Sequence, residues 1–101
     1  MDLNVCLSYW QETLGLTDWS IEVQELDNME DAAASVSYER DNKKAWVFIE
    51  KNIGHPERRL IHELLHLVLL PILPPGHIEG EEEIVNVLAD ALYHHDTRPA
   101  T

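Results

Sequence analysis

Two prolines fifteen positions apart, Pro56 and Pro71, restrict this chain more than any other feature. Proline is tolerated in the first turn of a helix, where its missing N–H has no partner to lose, and it cannot continue a helix interior. Between them runs ERRLIHELLHLVLL, long enough for about four turns. Eight of the eleven residues from Leu60 to Leu70 are aliphatic, and Pro74 and Pro75 reinforce the stop. So apolar a helix belongs in the core, yet it carries His62, Glu63 and His66. Three titratable groups on a buried helix call for partners, because an unpaired polar group is costly to remove from water.

The surrounding segments say what that helix packs against. Leu3, Leu7, Trp10 and Leu14 recur at helical spacing and Gly15 follows as a stop, which predicts a first helix over about 3 to 14. In WSIEVQEL, Trp19, Ile21 and Val23 alternate with Ser20, Glu22 and Gln24, the period of a half-buried strand. ASVSYER repeats that alternation, and RDNKK turns the chain into AWVFIEK, rich in β-branched and aromatic residues. Only short reversals fit between these runs, so sequence neighbours are expected to pair antiparallel. Trp46 and Phe48 are expected in the core or on the sheet face. After the stiff connector PILPPGHIEG, Ile84, Val87, Leu88, Ala91 and Leu92 mark one face of a third helix over about 80 to 95, with acids in its first turn. The terminal DTRPAT is expected to fray. The predicted fold is α+β: an N-terminal helix, a small three-stranded, mainly antiparallel sheet, and two C-terminal helices in one domain over 1–101.

Composition excludes several classes of function. A length of 101 residues leaves no room for a second domain, and no apolar run approaches the roughly 18 residues of a membrane helix. The N-terminal MDLNVCLSYW has an acid at position 2 and no secretory pattern, which predicts a cytoplasmic compartment. Cys6 is single, without an internal disulfide partner, and sits in the apolar stripe of the first helix as a small core residue. Seven scattered Lys and Arg against a net charge of -12 argue against a nucleic-acid surface.

The chemistry lies on the second helix. At about 100° per residue, His62 and His66 lie roughly 40° apart and Glu63 about 100° from His62, so the three share one sector. Imidazoles at i and i+4 have Cβ atoms roughly 6 Å apart, close enough for a nitrogen of each to meet one zinc ion at about 2.1 Å. This is the H-E-x-x-H pattern, in which the histidines hold zinc and the glutamate takes a proton from water that the metal activates. A solvent-facing stripe with Glu63 paired to Arg59 would not explain why the only polar sector of an apolar helix consists of metal-ligand types. A third ligand is needed, and EGEEEIVNVLADAL offers several glutamates, with Glu81 nearer than Glu82 to the centre of the apolar stripe. His77 is another candidate, and His94 and His95 stand at a helix end where the dipole favours them as surface residues.

HELLH followed after a connector by Glu82, Val85, Asn86, Leu88 and Ala89 resembles the gluzincin class of metallopeptidases. It is similar above all to small cytoplasmic zincins of bacteria and their phages, with the pattern E-x-x-[AV]-N-x-[LF]-A. The specific signal covers the 28 residues from His62 to Ala89, and sixteen positions separate His66 from Glu82, fewer than in the large gluzincins. The metzincin pattern is absent, since Leu69 and Ile72 stand where it has Gly and His. The resemblance implies a minimal zincin fold, Zn²⁺ held by His62, His66 and Glu82, Glu63 as the catalytic base, and Asn86 orienting a ligand histidine. It also implies a peptide or protein substrate extended along ASVSYER or AWVFIEK. An extra donor to the oxyanion would help the reaction, and Arg59, Tyr93 and His94 are candidates for it. Two other readings fit the same residues. One is an inactive zincin-fold binding module, and the other is a latent form whose own YHHD segment reaches the zinc.

Overall fold

The computed structural model describes residues 2–27, 29, 33–71 and 80–95. Within them the elements follow the predicted order: α1 Leu3–Thr13, β1 Ser20–Leu26, β2 Ala34–Glu39, β3 Lys44–Glu50, α2 Pro56–Leu69 and α3 Glu81–His94. The architecture is α+β, as expected. His77, Pro74, Pro75, nearly all of the connector and the DTRPAT tail lie outside the described residues. Among the described residues no helix is long and apolar enough to cross a membrane.

Local chemistry sets the ends of α1. The Asp2 carboxylate accepts a hydrogen bond from the Asn4 backbone N–H at 2.9 Å, and the chain leaves through Gly15 at φ +72°, a conformation that costs glycine little. Leu3, Cys6, Leu7 and Trp10 form its buried stripe.

The sheet order differs from the sequential antiparallel pairing expected. It is β1-β3-β2: β3 lies in the middle, antiparallel to β2 and parallel to β1. β1 and β2 do run in opposite directions, but β3 inserts between them. Composition supplies the reason. AWVFI is apolar at every position, with Ala45, Val47 and Ile49 buried on the helix side and Trp46 and Phe48 half-buried on the other. Such a strand gains most from having both edges paired, whereas β1, with Glu22, Gln24 and Glu25 exposed, tolerates an edge. The seven residues 27–33 at roughly 3.3 Å each easily cross the roughly 10 Å of two strand spacings. The register then lines up Val23, Val47 and Val36 across the helix-facing side.

α1 and α2 pack on that side, and α3 packs on α2. α2 packs against α1, β2, β3 and α3, whereas α3 touches α2 alone among the described elements. This explains why α2 is apolar almost all round: Leu60, Ile61 and Leu64 are fully buried, with Leu65 and Leu67 nearly so. One polar contact fastens α1 to α2 inside the core, where the Trp10 indole Nε1–H donates to Glu57 Oε2 at 2.6 Å.

α3 is rotated from its predicted orientation. Val85 and Ala89 are fully buried with Leu92 half-buried behind them, whereas Ile84, Val87 and Leu88 are 44%, 64% and 38% exposed, and Ala91 is exposed too. Apolar residues surround most of α3, so burial alone leaves its rotation undecided. Polar partners on α2 decide it: Arg58 pairs with Asp90, and His62 and His66 meet Glu82. The pairs 62/82, 58/90 and the ring contact 55/93 also show that α2 and α3 run antiparallel.

Candidate metal centre

Burial of α2 gives its polar sector fixed positions. His62 and His66 stand one turn apart with ring centroids 5.2 Å apart and planes inclined by 63°. The antiparallel return brings the first turn of α3 over them. His62 Nε2 lies 3.0 Å from Glu82 Oε2, and His66 Nε2 lies 2.9 Å from Glu82 Oε1. One ligand atom from each of the three residues falls within 4.8 Å of the others, so His62, His66 and Glu82 could hold a metal ion.

The neighbouring glutamates separate by contact. Glu81 Oε2 approaches His66 Nδ1 at 3.5 Å, on the side of the ring away from Glu82, while Glu83 is exposed. Glu82 thus joins both imidazoles and Glu81 supports one from behind. Asn86 lies beside His62 at the same end of the cleft. No group of hydrogen-bonding geometry meets His62 Nδ1 among the described residues, although that atom is buried. His94 and His95 are not part of the cluster.

The donor set fits a metal. Around a tetrahedral ion bonded at about 2.1 Å, ligand atoms stand roughly 3.4 Å apart; the two histidine–Glu82 contacts are about half an ångström closer, and the three ligand atoms lie within 4.8 Å of one another. The Glu82 side chain is 69% exposed and free to make that movement. A metal ligand must also be deprotonated. Burial holds His62 below the usual imidazole range, opposed by the Glu82 charge; His66 lowers it further, and contacts with Glu82 and Asn86 raise it. The neutral, ligating form is therefore favoured.

Glu63 is 6% exposed and stands beside the cluster without joining it. Burial pushes its carboxyl up to about 7; the charges of His66 and Arg59 pull it down and that of Glu82 pushes it up. Two cavities flank the cluster, about 360 Å³ on the His66 side and about 440 Å³ on the His62 side. Glu63, Glu82 and Ala34 line both, Tyr38 and Leu70 the first only, and Arg59 and Asn86 the second only. Together they form a cleft along β2, whose outer edge pairs with no other strand among the described residues. ASVSYER is one of the two runs read as a possible substrate strand; its alternation puts Ala34 and Tyr38 on one face, and only the strand order puts that face beside Glu63.

The shifted carboxyl has a consequence for the metal-free protein. A folded value near 7 against about 4.5 unfolded means that the native state binds the extra proton between those values, so this group's contribution is full below about pH 4.5 and lost as pH rises through about 7. The expected loss is about 3 kcal/mol at most. Urea titrations in chelator across this range should show stability falling more with pH in the parent than in Glu63→Gln. The comparison isolates Glu63 from His62, whose lowered value acts in the opposite sense. Parallel pH profiles would contradict the assignment.

No protein-family model, no curated protein and no solved structure matches this chain.

Proposed function

We propose that the chain is a zinc-dependent peptidase of the cytoplasm, with His62, His66 and Glu82 holding the metal and Glu63 as the general base. One observation carries this reading: a carboxylate on a second helix joins two imidazoles spaced i, i+4, while a separate buried glutamate faces the same cleft without touching the metal-ligating group. Two imidazole nitrogens and one carboxylate oxygen favour zinc over the all-oxygen ions, and three protein ligands, the number met among the described residues, are the set of a catalytic site. When bound, zinc supplies Lewis acidity, acidifying water and polarising a carbonyl.

The chain's own residues do the rest. Glu63 accepts a proton from water in the cleft and returns it to the leaving amine, and its place in the same cleft as Glu82, beside the cluster and outside it, suits both steps. The walls of the cleft exclude bulk water from one side of Glu63. The outer edge of β2 offers backbone groups to an extended peptide, which would lie across the cluster by strand addition. A net charge of -12 with only seven Lys and Arg leaves nucleic acid out of this reading.

The test is to incubate the zinc-loaded protein with an unstructured protein or a peptide library and to identify new termini by mass spectrometry. Cleavage should stop in chelator and return with zinc. No new termini across broad libraries would overturn the peptidase and leave a metal-binding module.

A further inference from the structure

Because α2 and α3 are antiparallel, the first turn of α2 meets the last turn of α3. A cavity of about 330 Å³ lies at that end, walled by His55, Arg58, Arg59, Asp90, Tyr93 and His94. The chain has seven Lys and Arg against nineteen acids, so two arginines and two histidines around one concavity run against its overall charge. Arg58 is committed to Asp90. Arg59 is half-buried and forms no ion pair among the described residues. Its charge acts on Glu63 across the cleft without pairing with it, and its fork of N–H donors matches a carboxylate. His55 and Tyr93 also line the cavity, their rings 6.0 Å apart.

The position of Arg59 links this cavity to the metal centre. The same side chain lines the His62 side of the cleft, together with Glu63 and Glu82. We infer that the cavity is a carboxylate subsite, in which Arg59 holds a negatively charged group of a peptide lying across His62 and Glu82. The subsite rests on the peptidase reading for its substrate. The shared chemistry is a carboxylate, either an acidic side chain near the scissile bond or the terminal carboxylate of a peptide that ends there. A chain so acidic elsewhere repels such peptides in general, so a local cation both selects and orients them.

The experiment uses Glu63→Gln protein, with and without zinc, titrated with four N-acetylated pentapeptides and followed by amide shifts in NMR. Two are amidated and carry Glu or Gln at the centre of an alanine sequence; two are pentaalanine with a free or an amidated terminus. At least one charged peptide should bind about tenfold or more tightly than its neutral counterpart, with shifts at residues 54–59 and 93–94. Arg59→Gln should abolish the preference and Arg59→Lys should restore part of it. Preference within the Glu/Gln pair assigns an acidic side chain, and preference within the terminal pair assigns the terminus. Equal affinities, a preference that survives Arg59→Gln, or no binding of any peptide would overturn the subsite. Charge-selective binding without cleavage by the parent supports the subsite while removing the peptidase, and cleavage without charge preference does the reverse.

Discussion

Glu63→Gln should reduce peptide cleavage by roughly 10² to 10⁴-fold, the usual contribution of a general base, while zinc content stays at the parent level. Glutamine keeps the size and much of the hydrogen bonding of glutamate but has no basic oxygen with which to take a proton. Glu63 stands outside the group whose ligand atoms converge, so its substitution leaves the metal donors intact. Nor should the fold suffer, because burial already disfavours the ionised carboxylate and an uncharged amide removes that cost. The loss should therefore appear in turnover at matched zinc occupancy and unaltered or raised stability. Cleavage that persists undiminished in the zinc-loaded variant would show that another group moves the proton.

Glu82→Ala should weaken zinc binding more than Glu81→Ala, Glu83→Ala or Asn86→Ala. Glu82 alone of the three adjacent glutamates reaches both imidazoles, so its loss leaves two protein ligands. Glu81 touches only the far nitrogen of His66, and Asn86 only adjoins His62, so in the proposed site these two would orient the histidines without supplying a ligand. Changes of that kind typically cost about 10 to 100-fold in affinity, and Glu82→Ala should exceed that range. Competition titrations against a chromophoric chelator measure all four variants on one scale. Equal losses for Glu81→Ala and Glu82→Ala would mean that the two carboxylates share the ligand role.

Much of this arrangement was legible in the residues. The helix ends at Gly15 and Pro56, the three alternating runs, and the His62-Glu63-His66 sector each rest on local chemistry, and the elements form close to where that chemistry puts them. What failed depended on contacts between distant segments. Short reversals favoured sequential pairing, whereas the uninterrupted apolar run of β3, itself a sign of a central strand, decided the order. In α3 the apolar residues outnumber what one face can bury, so periodicity favoured Ile84 and Val87 while the ion pairs with α2 turned Val85 and Ala89 inward. Periodicity around Ile84 and Val87 favours Glu81, but on the face actually buried Glu81 and Glu82 lie about 50° to either side of the line through Val85, Ala89 and Leu92, so that preference disappears. The cavity around Arg59 requires residues about 35 positions apart to meet, and no local pattern announces it.

Anomalous diffraction at the zinc absorption edge, from crystals of the parent protein grown with zinc, locates the metal independently of any substrate. The expected result is one strong peak between the His62 and His66 rings and the Glu82 carboxylate, with Glu63 facing the peak without ligating it. A peak held instead by His77, His94 or His95, or none at the His62 and His66 pair in zinc-saturated crystals, would contradict the metal centre and with it the peptidase.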